Sequence, residues 1–545
     1  MLDTKQPNSF GAALASYACT AAAIALTWWW LGAPVRLAPS PLAAGGKLYC
    51  ISYAPFRDGQ DPLVETTTVD ARQIDEDLTI LSRYTDCIRT YSIENGLDQI
   101  PAIAQRHGMK MLLGLWLSSR PEKNRHQVET VIRLAKTFPD TIRTVIVGNE
   151  VLLRGDLSVA DLASFIREVK SQVSMPVTYA EVWEYWLRYS DLENAVDFIT
   201  IHILPYWEDF PLPASLAAAH VDSIRKRVAA AIPDKEIFVG EVGWPSAGRM
   251  RGGALPSLSN QARVIGETLA LARRENFRVN FIEAFNQSWK RALEGPTGGY
   301  WGIFDRATGE PKFSFSGNVS NHPRWLEQAL AGIFLAGVIF VTAIAADRGK
   351  LAGSLLWPRI AVFSFLPAVL FGWTLERIPV DSFTTGTWLR ATAFATNAAI
   401  APIACVAAYV SGRRQPTFAA MLSSESAARD PITRDPITWT LGACSIALTL
   451  LSIETALALA FDPRYRDLPF APQSGAVLGF LVLSVSQPRP AGSRATAETL
   501  GAAVLAVSAV YIAFNETFAN WQAIWLCAGL IGLALILVRA RDTQD

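Results

Sequence analysis

This 545-residue chain has little that would serve a metal, a disulfide scaffold or a nucleic acid. Its five histidines are scattered and share no Cys/His spacing, so no metal site is expected. Of six cysteines, Cys19, Cys405, Cys444 and Cys527 lie in apolar stretches. Cys50 and Cys87 fall near the first two strand-like runs and read as buried free thiols, with a disulfide as the alternative. Lys and Arg total 49, as do Asp and Glu, so net charge gives no reason to expect nucleic acid or an acidic polymer as partner. No Gly-rich phosphate loop occurs, and no cofactor is expected.

What the chain does have is two contrasting parts. Residues up to about Pro323 carry most of the charge, and the rest is dominated by Ala, Leu, Ile, Val and Phe. The first part opens with Phe10 to Leu31, apolar over about the length that spans a bilayer and ending in Trp28-Trp29-Trp30. It reads as an uncleaved anchor, with a signal peptide as the alternative. Seven further apolar stretches follow, near 327–346, 354–374, 388–410, 437–461, 473–487, 499–514 and 520–538. Arg348, Lys350, Arg413, Arg414, Arg429, Arg434, Arg489, Arg494, Arg539 and Arg541 fall on one side of these spans, against chiefly Arg377, Arg464 and Arg466 on the other. The basic excess marks the cytoplasmic side and puts the intervening soluble domain outside the inner membrane, in the periplasm. The expected division is an anchor and linker over 1–45, a soluble domain over 46–322 and a membrane domain over 323–545, with the polar stretch from Phe315 to Trp325 as the join.

Within the soluble part, short apolar runs alternate with amphipathic helical stretches. Strands are expected at Leu48–Tyr53, Cys87–Tyr91, Lys110–Trp116, Thr144–Gly148, Val177–Glu181, Phe198–His202, Ile237–Gly240 and Val279–Glu283. Ser158 with Asp161 reads as a capping start for a helix carrying Leu162, Phe165, Ile166 and Val169 on one face. Eight strands alternating with helices predict an α/β fold, a (β/α)8 TIM barrel followed by an α-helical multi-span membrane domain; a doubly wound sheet is the alternative.

Two of these strands end on a carboxylate. Thr144-Val-Ile-Val-Gly-Asn-Glu150 closes the fourth, and Ile237-Phe-Val-Gly-Glu241-Val-Gly-Trp-Pro-Ser246 carries the seventh. A charge at the end of a buried strand is costly unless pairing or function keeps it there. In a barrel, chemistry sits at the C-terminal strand ends, and two carboxylates delivered there suit acid/base and nucleophilic work on a sugar bond. Tyr53, Trp116, Trp183, Tyr206, Trp207, Trp244, Trp289 and Trp301 lie near predicted strand ends and offer flat faces for sugar rings.

The paired motifs Gly-Asn-Glu150 and Gly-Glu241-Val-Gly-Trp-Pro resemble those of glycoside hydrolase family 17, the β-1,3-glucanases and glucanosyltransferases. The resemblance covers the soluble part, about half of the chain. It implies Glu150 as general acid/base, Glu241 as nucleophile, Asn149 facing the sugar, and Tyr53 beside the nucleophile. It also matches the Glu283–Lys290 stretch and Glu294 to the family's strand-eight pattern, with Lys290 and Glu294 at charged positions, and of the aromatics Tyr206, Trp207 and Trp244 are expected to contact substrate. Departures are Gln287 where the family usually has Glu, Val242 for Thr or Ser, and His202-Ile-Leu-Pro where many members have Asn and Tyr before the Pro. These leave both carboxylates intact and bear on linkage and on the handling of water.

The expected activity is a membrane-bound retaining β-glucan transglycosylase, with an endo-β-1,3-glucan hydrolase as the near alternative. Expected partners are β-glucan, the lipid bilayer and a glucan synthase. A nucleotide-sugar synthase would need a larger cytoplasmic domain than the loops allow. A non-catalytic glucan-binding or export subunit is a third possibility, kept open by Glu454 inside a span.

Overall fold

The computed structural model describes residues 9–42, 45–313, 315, 317–347, 355–422, 435–487 and 494–539. Two compact units divide them: Pro34–Val319, and Met1–Ala33 together with Ser320–Asp545.

The first unit is a closed barrel of eight parallel strands. In chain order these are β1 (Cys50–Ser52), β2 (Cys87–Arg89), β3 (Lys110–Leu115), β4 (Ile142–Asn149), β5 (Val177–Val182), β6 (Ile199–His202), β7 (Ile237–Val242) and β8 (Val279–Phe281). The closure is made by β1 against β8, with Cys50 opposite Asn280 and Ile51 opposite Phe281. The strands are rich in β-branched residues, and their side chains form one continuous apolar core with the surrounding helices.

Helix starts follow local chemistry. Asp70, Ser158 and Ser257 each accept a hydrogen bond from the backbone N–H three residues on, satisfying a donor that the first helical turn leaves orphaned. From the Ser158 start, Leu162, Ile166 and Val169 are buried, as the 3.6-residue period requires. A short strand pair, Val35–Arg36 against Asn318–Val319, joins the two ends of this unit.

One expectation is corrected here. Cys50 and Cys87 form a disulfide, tying β1 to β2 across 37 residues of sequence. The two strands are adjacent and parallel, with Ile51 opposite Ile88, so residues at their starts stand side by side. Chain spacing alone does not reveal that juxtaposition. The other four cysteines are free.

The second unit is helical. Among the described residues, seven helices are long and apolar enough to cross a membrane: Phe10–Leu31, Trp325–Ala346, Leu356–Asp381, Thr385–Ser411, Pro436–Phe461, Thr496–Asn515 and Trp521–Val538. Phe470–Ser486 is a shorter apolar helix at 17 residues. The first helix packs into this unit through Tyr17 on Phe340 and Trp28 on Trp373. Small residues permit close helix contact: a Cβ on Gly332 would come within 2.6 Å of the Ala368 carbonyl. Glu454 pairs with Arg390 at 3.5 Å, which gives this charge on an apolar helix a partner. Of the basic residues used to orient the spans, Arg348, Lys350, Arg429, Arg434, Arg489 and Arg541 lie outside the described residues.

Candidate active site

Glu150 follows directly on β4 and owes its position to unusual backbone. Gly148 has φ of +89° and Glu150 itself +52°, a left-handed conformation uncommon for a residue with a side chain. A Cβ on Gly148 would also meet Val151 at 2.7 Å, so glycine is needed there twice over. The Glu150 N–H donates to Ala180 on β5, and Arg154 donates from Nη1 to the Asn149 carbonyl and from Nη2 to Leu117. The Arg154 guanidinium lies 4.0 Å from the Trp116 ring centroid. Buried Glu181 on β5 accepts from the N–H groups of Leu152 and Leu153, fixing the turn that follows.

Glu241 lies within β7 and is 4% exposed. Two residues on, a Cβ at Gly243 would meet the Ile282 carbonyl at 2.3 Å, which explains the glycine of Glu-Val-Gly-Trp. Arg89 at the end of β2 donates from Nη1 to Glu241 at 3.2 Å and to the Gly240 carbonyl at 2.7 Å. Its Nη2 reaches Asn149 Oδ1 at 2.6 Å and His202 Nε2 at 3.2 Å. Tyr91 donates its hydroxyl to Glu241 Oε1 at 2.8 Å. His202, at the end of β6, stands with Nδ1 2.7 Å from Glu150 Oε1 and Nε2 3.6 Å from Glu241 Oε1.

The result is a compact centre in which one oxygen of Glu150, one oxygen of Glu241 and a nitrogen of His202 all lie within 4.8 Å of one another. Three such groups have the spacing of a cation site. Buried Arg89 already supplies a positive charge there, in contact with both Glu241 and His202, and a metal dication would have to displace or repel it. The donor set therefore suits two carboxylates organised by a guanidinium better than an ion.

A second charged group lies beside the first. Glu283 is 1% exposed and accepts from Lys290 Nζ at 3.2 and 3.3 Å. Burial raises the Glu283 carboxyl, and the Lys290 charge offsets part of that. Burial would lower Lys290, but Glu283 and Glu294 hold it above its ordinary range. Glu294 is pushed up to about 7, by burial first and by neighbouring carboxylates as well. Lys312, hydrogen-bonded to Asn286 at 2.7 Å, is lowered by burial to about 7.

The remaining sequence candidates distribute unevenly. Asn149 joins the centre through Arg89. Tyr53 does not lie beside Glu241: its hydroxyl donates to Asp77 at 3.0 Å, and Asp77 is in turn held by Arg306. Tyr91 occupies the place expected of Tyr53. Tyr206 and Trp244 are fully buried and pack with Trp301, so they are core residues and not sugar platforms. Trp207 is half-buried and stacks on Trp301 with the rings 16° apart. Gln287 is buried, donating to the Ala54 carbonyl and accepting from Trp289 Nε1. Arg89, Tyr91, Arg154 and the bridging place of His202 were not foreseen. Arg89-Thr-Tyr91 carried a signal, since a charge and a phenol two residues apart at the end of an apolar strand face the same way.

Residues 50–302 match the BtgE/BtgC glycoside hydrolase domain. Among curated proteins, the "Probable beta-glucosidase btgE" of Aspergillus flavus is 28% identical over 279 residues, covering 49% of this chain and 44% of that protein. The "Glucan 1,3-beta-glucosidase BGL2" of Candida albicans is 26% identical over 261 residues, covering 44% of this chain and 84% of that one. This chain thus spans less than half the length of the btgE protein. Among solved structures, the glycoside hydrolase family 17 β-1,3-glucanosyltransferase of Rhizomucor miehei aligns with a TM-score of 0.44 at 24% identity, over 49% of this chain and 97% of that one. Residues 50–302 are thus similar to the BtgE/BtgC glycoside hydrolase domain, a likeness that covers a little under half of the chain.

Proposed function

We propose that the protein is a membrane-bound retaining β-glucan transglycosylase acting on β-1,3-glucan. The observation that carries this reading is the approach of Glu150 and Glu241, whose oxygens lie within 4.8 Å. Retaining glycosidases hold their two carboxyl groups about 5–5.5 Å apart, whereas inverting ones leave about 6.5–9.5 Å for a water. Glu241 attacks the anomeric carbon while protonated Glu150 gives its proton to the leaving oxygen. Glu150, now ionised, takes the proton of the incoming acceptor as that acceptor displaces Glu241. Arg89 and Tyr91 orient and stabilise the Glu241 carboxylate before it attacks and as the acceptor displaces it.

The names of the relatives support β-1,3-glucan as the substrate class. A bacterial inner-membrane location with the barrel on the periplasmic side is supported by the loop charges, by the apolar helices and by the Cys50–Cys87 disulfide, which belongs to an oxidising compartment. A glucan synthase is the partner this arrangement suits.

Incubation of the detergent-purified protein with laminari-oligosaccharides separates transfer from hydrolysis. Products longer than the substrate, or newly branched, are expected. Shorter products alone would make the protein an endo-β-1,3-glucan hydrolase.

A further inference from the structure

We propose that His202 is a positioning residue that weakens the hold of Glu150 on its proton and selects the oxygen that carries it, in a tautomer imposed by Arg89; this rests on Glu150 being the acid/base. His202 is 1% exposed and makes two polar contacts of defined direction. An arginine has only donors, so the approach of Arg89 Nη2 to Nε2 at 3.2 Å requires a lone pair on that nitrogen. The ring proton therefore sits on Nδ1 and is donated to Glu150 Oε1 at 2.7 Å. An ionised carboxylate is the natural acceptor for that bond.

Nε2 faces the Arg89 guanidinium, with Glu241 Oε1 at 3.6 Å. When Glu150 takes up its proton, that proton settles on Oε2, because the Nδ1–H already occupies Oε1. His202 thereby selects which oxygen carries the proton to be transferred.

The other charged groups around Glu150 are Arg154 beyond β4, Arg89 on β2, Glu181 on β5, Glu241 on β7 and Glu294 beyond β8. Burial pushes Glu150 up, but the His202 hydrogen bond and the Arg154 and Arg89 charges outweigh it and leave the carboxyl below its ordinary range. The stretch His202-Ile-Leu-Pro is one of the departures from the resembled family, many of whose members have Asn and Tyr before the Pro. An asparagine amide would take roughly the place of Nδ1 and keep the donor, whereas a glutamine amide would fall nearer Nε2 and lose it.

The test compares His202→Asn with His202→Gln in the full-length, detergent-solubilised protein. The alkaline limb of kcat/KM reports the proton on the acid in free enzyme. His202→Gln is expected to move that limb up by about one pH unit, a tenfold change in protonation equilibrium, and His202→Asn to leave it near its original place. A loss of rate at all pH values with no movement of the limb in His202→Gln would overturn the proposal and leave His202 a structural residue. Independently of turnover, 15N spectra of histidine-labelled protein, assigned by difference with His202→Asn, are expected to show an Nδ1–H tautomer with a bare Nε2. An imidazolium or an Nε2–H tautomer would overturn it. Should the wild type show no turnover, the Glu150 assignment fails while the nitrogen spectrum still decides the tautomer.

Discussion

The Tyr91 hydroxyl donates to Glu241 Oε1 at 2.8 Å, and that hydroxyl also stands 2.7 Å from Ser52 Oγ. The phenol thus fixes one oxygen of the candidate nucleophile from beyond β2, with β8 and β1 between it and β7 in the barrel wall. A hydrogen bond to a charged group is worth about 1.5–3 kcal/mol. Tyr91→Phe should therefore lower kcat on laminari-oligosaccharides by about ten- to a hundredfold, with KM and thermal stability little changed. Steady-state kinetics beside a melting curve checks both parts.

Glu283 and Lys290 form a buried pair, with the carboxylate 1% exposed. Removing one partner of such a pair leaves an uncompensated charge and costs about 3–5 kcal/mol. Lys290→Met should destabilise the barrel by about 3 kcal/mol, and adding Glu283→Gln should recover a large part of the loss. Denaturant unfolding of the single and double variants measures the difference.

Glu294, pushed up to about 7 chiefly by burial, predicts a pH-dependent stability. Its ordinary value is near 4.3, so between those values the folded state binds the proton that the unfolded state releases. That contribution to stability is complete at low pH and is lost as pH rises through about 7. Glu294→Gln should therefore be more stable than the wild type at pH 8, by about 1–3 kcal/mol, and nearly equal to it at pH 4.5. Melting temperatures across that range test the sign.

The Cys50–Cys87 bridge closes a loop of 37 residues, for which chain entropy suggests at most about 4 kcal/mol. Replacing both cysteines by serine should destabilise the barrel by up to that amount. Thiol titration of unreduced, unfolded protein should find four reactive groups out of six cysteines, since two are bridged.

Much of this architecture was readable from local pattern. Apolar runs marked all eight barrel strands, and length with apolar composition marked the seven long helices, because each property is written in consecutive residues. Glu150 and Glu241 stood out because a charge that ends an apolar strand is visible locally. What depends on contacts across the barrel was harder to see. Arg89 is separated by 60 residues from Asn149 and by 152 from Glu241, and only closure brings them together. Tyr53 and Tyr91 are both tyrosines near strand ends, and strand direction alone does not decide which one reaches Glu241. Trp244 and Tyr206 pass for sugar platforms by residue type, yet the Trp301 cluster takes them into the core. The Cys50–Cys87 bridge likewise needed the register of β1 against β2.

The central claim is that Glu150 and Glu241 act as a retaining pair. It is tested most directly by 1H NMR of the first product formed from a β-1,3-gluco-oligosaccharide, recorded before mutarotation. Double displacement at the anomeric carbon predicts a β-configured product at the new linkage or reducing end, with the signal absent in Glu241→Gln. An initial α-anomer would contradict the account, because it would require single displacement by a water for which the two carboxylates leave too little room.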